Sequence, residues 1–291
     1  MSEPVHTPYD GSSSPFSIGL SPLDPSEWIE VDGNLETYLR EKDRLADLYP
    51  DKVFADEGDT RQSQIEILEA LALHLPAHRP DIYSLTGDHV HIAGTGRSVL
   101  VNNPVSPPLK AAANLVQEDL VVMRKGETGW RLAVASLSFP SAWSLAEKFG
   151  RPMHDIHEPV PGFGPGTRNA NLIDRMFDNL RPSHPVKRFN WSIYRDGALY
   201  HPVAQSKEGL RPEHAFVRVE RQTLRKMPVS GDILFTIRIH HDPLLALSAH
   251  PEAAGIGQSM AAQLMALDHD QLAYKGLSES RDRLVFRLNS L

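Results

Sequence analysis

The chain has 291 residues, 41% of them hydrophobic and 23% charged, which suffices to bury a core in one large domain or two modest ones. A formal charge of −7 excludes a general nucleic-acid binder, because phosphate contacts need a basic surface. With no cysteine there is no disulfide, thiol nucleophile, cysteine-type zinc site or cysteine-ligated iron–sulfur cluster. A redox role would therefore need a cofactor held by His, Tyr, Met or carboxylates, or electrons from another chain.

Residues 1–27 carry five prolines and a Gly-Ser-Ser-Ser run, which reads as an extended, flexible lead-in. Apolar residues at helical spacing predict a helix from Leu35 to Leu48, with Asn34 as N-cap and Pro50 as its stop. A second helix is expected from Arg61 to Leu75, ended by Pro76. Residues 81–103 look irregular, with short strands at most. Gly94-Thr95-Gly96 lacks the third glycine of a nucleotide loop and reads as a turn. A short helix near Leu109 precedes a hairpin over 115–139 that turns at 125–129. Glu118-Asp119 beside it could be a carboxylate pair but reads more readily as a solvated strand end.

A compact helix is expected from Ser141, closed by Gly150. His154 and His157 follow, three apart among prolines, on either a helical turn or a loop. Asp155 or Glu158 could add a third metal ligand. Residues 169–180 form a clear amphipathic pattern, 186–194 a strand with Asn190 and Trp191 in its middle, and 251–267 another helix. Residues 270–291 read as helical.

The most informative stretch is 216–241, two strand-like runs around a turn at 227–231. Alternation puts Arg218, Glu220 and Gln222 on one face of the first run and Arg221 and Thr223 on the other. On the second run Ile233, Phe235, Ile237 and Ile239 share a face, opposite Thr236, Arg238 and His240. Charges in mid-sheet must be mutually satisfied or must await a polar ligand. The element order suggests an α+β fold with a mainly antiparallel sheet and flanking helices, and nothing divides residues 28–291 into two domains. No apolar run reaches membrane-spanning length and no secretory signal is visible, so a cytoplasmic protein without membrane attachment is expected.

Four words occur in order: Leu115-Val116-Gln117-Glu118-Asp119-Leu120, Ile156-His157-Glu158-Pro159-Val160-Pro161, Arg188-Phe189-Asn190-Trp191-Ser192 and Arg218-Val219-Glu220-Arg221-Gln222-Thr223-Leu224. Over residues 28–247 the chain resembles the haem-dependent oxidative N-demethylase alpha-subunit-like family. The resemblance implies a PAS-like antiparallel core that binds b-type haem and activates O2 to demethylate a small secondary amine. It also implies NADPH-derived electrons arriving through separate flavin and iron–sulfur subunits, a division of labour that the absence of cysteine fits.

On that resemblance His157 is the expected axial and metal ligand, with His154 as runner-up. Arg218, Arg221 and Arg238 are candidates to pair with haem propionates. Glu220 is a candidate to hold an ammonium or relay a proton. Asn190 and Gln222 could hydrogen-bond oxygen or water, and Trp191 could wall the pocket. Alternation favours Glu220 with Arg218 over Glu220 with Arg221. Two rivals stand beside the enzyme: a haem-binding PAS-like sensor or carrier without turnover, and a binding protein that has lost the cofactor.

Overall fold

The computed structural model describes residues 3–291. In chain order the elements are β1 (Ser21–Pro22), α1 (Leu35–Leu48), α2 (Pro50–Val53), β2 (Phe54–Asp56), α3 (Arg61–His78), β3 (Tyr83–Thr86), β4 (His89–Ile92), β5 (Arg97–Leu100) and α4 (Pro108–Ala113). They continue with the hairpin β6 (Asp119–Gly126) and β7 (Gly129–Ser136), then α5 (Leu145–Lys148), α6 (Met153–His157), α7 (Arg168–Asn179) and β8 (Val186–Tyr194). The hairpin β9 (Phe216–Lys226) and β10 (Ile233–Pro243) precedes α8 (Ala253–Ala266), α9 (His269–Lys275) and α10 (Arg281–Leu288). The fold is α+β: a seven-stranded antiparallel sheet ordered β1-β8-β9-β10-β6-β7-β2, a three-stranded sheet β3-β4-β5, and helices around them. No helix among the described residues is long and apolar enough to cross a membrane.

The central hairpin forms because β-branched and aromatic residues alternate along both runs and Gly231 takes the positive φ, 73°, that the turn requires. The Glu66 carboxylate on α3 fastens the turn by accepting from the backbone N–H of Val229 and Ser230 at 2.7 and 2.9 Å. Pairing sets Glu220 opposite Ile239 and Arg221 opposite Arg238, which fixes two sheet faces of different character. Val121, Met123, Leu224 and Ile237 join the core on one face. On the other, Leu120, Val122 and Leu234 pack beneath α3, and Val217 and Val219 beneath α8. At Gly257 on α8 an added Cβ would meet Leu288 O at 2.5 Å, so glycine there is what lets α10 lie close against α8.

Several expectations are revised. The lead-in lies along the domain: Tyr9 is buried, Pro22 pairs with Val186, and residues 16–20 pack on the sheet; Met1 and Ser2 fall outside the described residues. Helix α3 runs through Pro76 to His78, because a proline in the last turn forfeits only one helical hydrogen bond, and Arg79 N still bonds Leu75 O at 2.8 Å. Asn34 makes no side-chain cap, and Pro50 opens α2 in addition to following the end of α1. The helix expected from Ser141 begins only at Leu145, where Ser144 and Glu147 form a capping box.

Glu118 and Asp119 are fully buried where a solvated strand end was expected. Asp119 accepts from Ser138 N and Phe139 N at 2.8 and 2.7 Å, and Glu118 Oε1 accepts from Glu30 N at 2.9 Å. Lys42 lies beside them, its ammonium donating to the carbonyls of Ala113, Val116 and Glu118. These buried charges brace loops.

Candidate active site

A cavity of about 660 Å³ opens between one face of the large sheet and α6, α7, α9 and the lead-in, a size within the usual range of ligand sites. Its walls are mainly apolar, with Phe16, Ile18 and Leu20 on one side and Met153, Phe163 and Phe177 on another. Polar groups come from the sheet floor. Strand alternation delivers Arg188, Asn190 and Ser192 from β8 and Arg218, Glu220 and Gln222 from β9 to the same face, and pairing sets Asn190 directly opposite Glu220.

Glu220 is the centre of this floor. Its Oε2 accepts from Gln222 Nε2 at 2.6 Å and, longer, from Asn190 Nδ2 at 3.4 Å, while Oε1 receives no hydrogen bond among the described residues. Besides Arg218, four cations border the cavity: Lys148, Arg188, Lys207 and Lys275. Burial pushes Lys207 down to about 7, helped by neighbouring Lys275, and pushes Lys275 down to about 8 although Glu220 pulls it up. Burial also lowers Lys148 and Arg188. Arg188 gives one hydrogen bond, from Nη2 to Ser17 O at 3.2 Å, and its buried Nε has no partner. A buried donor of this kind awaits an acceptor.

His157 borders the cavity from α6, whose five residues form a helical turn between Pro152 and Pro159. Its Nδ1 lies 3.0 Å from Met153 O. A carbonyl only accepts, so Nδ1 carries the proton and Nε2 keeps its lone pair. Burial lowers His157 to about 4, so the ring is neutral at pH 7. A neutral imidazole oriented through its other nitrogen by a backbone carbonyl is the form that ligates metals. His154 does not border the cavity; its side chain is 40% exposed and lies beside Asp155, 3.2 Å away. Asp155 and Glu158 do not reach the cavity either.

Of the residues singled out in the sequence, Glu220, Asn190, Gln222, His157, Arg218 and Trp191 border this one cavity. Trp191 does so although alternation sends its ring into the apolar cluster with Val217 and Val219 on the opposite face. Arg221 and Arg238 are not brought to it. They face each other on the far side of the sheet, and each is neutralised there: Arg221 Nε lies 3.1 Å from Glu30, and Arg238 Nη2 lies 2.7 Å from Asp32. Two guanidiniums paired across strands repel unless each has its own carboxylate, and both have one. Arg218 touches the cavity but directs its guanidinium at Ser141 Oγ and the carbonyls of Ala198, Phe139 and Leu199, which anchors two loops.

Arg188 and the three lysines were missed. Arg188 was within reach, since it shares the β8 face two residues before Asn190. The lysines come from three separate segments and carry no local signal.

Residues 19–285 match the family described as haem-dependent oxidative N-demethylase, alpha subunit-like. The chain belongs to that family. Its alpha-subunit-like character speaks for a haem-dependent chain that works within a complex. The cavity fits such a group: apolar walls for a flat macrocycle, a neutral histidine with a free nitrogen, and a guanidinium whose Nε is left without a partner and suits a carboxylate.

Proposed function

We propose that this chain is the haem-binding, oxygen-activating subunit of a demethylase that acts on a small secondary amine. The observation that carries the reading is the meeting, in one cavity, of a neutral histidine free at Nε2 with a carboxylate free at Oε1. When bound, the haem supplies one-electron and O2 chemistry that no side chain can perform. His157 would hold the iron from α6. Arg188, through its free Nε, and the lysines would pair with the propionate carboxylates, the task expected earlier of Arg221 and Arg238.

Glu220 Oε1 would receive an N–H of the substrate ammonium, placing the methyl group over the centre of the cavity. Gln222 and Asn190 hold the carboxylate in place for this, and either amide can also donate to an oxygen atom. The balanced reaction takes the methylated amine, O2, two electrons and two protons to the demethylated amine, formaldehyde and water. Glu220 would carry protons inward. With no cysteine, the chain would take NADPH-derived electrons from flavin and iron–sulfur partner subunits, in the cytoplasm. A PAS-like core, formed by the antiparallel strands around β9, belongs to the same reading.

The test is an absorbance spectrum of protein expressed with a haem precursor, wild type beside His157→Ala, followed by turnover of dimethylamine with a chemical reducing system. A Soret band that is lost or shifted in the variant, with formaldehyde released by the wild type, supports the reading. No Soret band in the wild type sinks it. A Soret band without turnover by any small secondary amine leaves a sensor or carrier.

A further inference from the structure

On the opposite side of the large sheet from the cavity, three side chains from distant parts of the sequence converge: His6 from the lead-in, Glu30 from the loop before α1, and His240 from β10. Their ligand atoms all lie within 4.8 Å of one another. His6 Nε2 is 2.9 Å from both Glu30 Oε1 and Glu30 Oε2, and His240 Nε2 is 3.7 Å from Oε1, too far for a hydrogen bond. The His240 side chain is only 8% exposed, yet its buried Nε2 has no partner. A polar nitrogen buried against a carboxylate that it does not bond calls for something between them.

We propose that His6, Glu30 and His240 form a zinc site. Two imidazole nitrogens and one carboxylate oxygen are ligands of the borderline type zinc prefers. Tetrahedral coordination at about 2.0–2.1 Å separates ligand atoms by roughly 3.3 Å, and the separations of His6 Nε2 and His240 Nε2 from Glu30 Oε1, 2.9 and 3.7 Å, lie on either side of that value. Arg221 Nε lies 3.1 Å from Glu30 Oε2, so the carboxylate would ligate through Oε1, and water would complete the fourth position. The Arg221 and Arg238 cations oppose a metal here, and Glu30, Asp32 and Asp242 offset them.

The ion would staple residue 6 to the sheet. The same segment leads to Tyr9, whose ring meets Trp191 at 5.7 Å, and on to Phe16, Ile18 and Leu20 in the cavity wall. The site therefore secures the wall from behind without touching the cavity. His6 precedes the family-matched residues, whereas Glu30 and His240 lie within them.

The full chain, stripped with chelator and desalted, would be loaded with zinc chloride, and the retained metal measured by mass spectrometry alongside thermal unfolding. The wild type is expected to retain one equivalent and to unfold at higher temperature with zinc than without. His6→Ala and His240→Gln are each expected to weaken zinc binding at least as much as the ~10-fold typical of losing an outer-shell partner, and to lose the thermal shift. His6 is the safer variant because it lies at the surface end of the cluster. The proposal fails if the wild type retains no zinc. It also fails if His6→Ala retains it with unchanged affinity, which would place the metal elsewhere on the chain.

Discussion

Glu220 and Arg188 border the same cavity with opposite charges, and on the proposed reading, in which the anion would hold substrate and the cation cofactor, the two roles separate by mutation. Glu220→Gln keeps shape and hydrogen bonding but removes the charge. It is expected to leave the Soret band in place and to lower formaldehyde release by ~10²-fold or more, the scale of a lost general acid–base group. Equal turnover in the variant would remove Glu220 from the mechanism. Arg188→Met is expected to weaken haem retention with little loss of stability, since its guanidinium makes one hydrogen bond to the protein. Arg221→Met is expected to do the reverse. It strands Glu30 without its guanidinium and should cost about 3 kcal/mol in denaturant unfolding while haem affinity holds. If Arg221→Met were the variant to release haem, the assignment of the two sheet faces to different tasks would be wrong.

At the scale of elements, the β9–β10 hairpin does two things at once because a strand has two sides. Its cavity face carries Glu220 and Gln222, and its other face buries Arg221, Arg238 and the pair Thr223 and Thr236, whose hydroxyls meet at 2.6 Å. Replacing either threonine by valine orphans the other hydroxyl and is expected to cost about 1–3 kcal/mol, while the double replacement should cost much less than the sum. Additive costs in a double-mutant cycle would show that the two hydroxyls do not interact. The hairpin was legible in the sequence down to the side on which each residue lies, because alternation is a local rule and its turn carries its own glycine. The β8 strand and α7 were legible for the same reason. Glu118 and Asp119 were not: what buries them is Lys42, the 138–139 amides and the 28–32 loop, all brought in by tertiary packing. Nor was the lead-in, whose prolines fix local stiffness but say nothing of the groove that receives Phe16 and Ile18.

For the molecule as a whole, the cavity lysines give the empty protein an unusual pH profile. Lys207 and Lys275 titrate near 7 and 8 in the folded chain and near 10.5 when unfolded, so between these values the unfolded chain binds more protons. Stability of the haem-free protein is therefore expected to rise from pH 7 to pH 9 as burial of charged ammonium groups is relieved. Bound carboxylates would reverse the balance by favouring the charged lysines, so the haem-loaded protein should show a flatter curve. Urea midpoints at the two pH values, with Lys207→Met as reference, check this; a haem-free midpoint that does not rise would mean that the lysines remain fully solvated.

The cavity walls also set a timetable for assembly. Residues 16–20 and 273–276 border the same cavity although most of the chain runs between them. A nascent chain can display His157 and the β8 floor long before Lys275 has been made, so on the proposed reading a cofactor arriving during synthesis would meet a half-built receptacle that has the proposed ligand but lacks a wall. Firm capture would then have to wait until translation has passed residue 276. Ribosome-bound chains arrested before that point should exchange added haem quickly, and chains arrested far enough beyond it for that segment to emerge and fold should hold it.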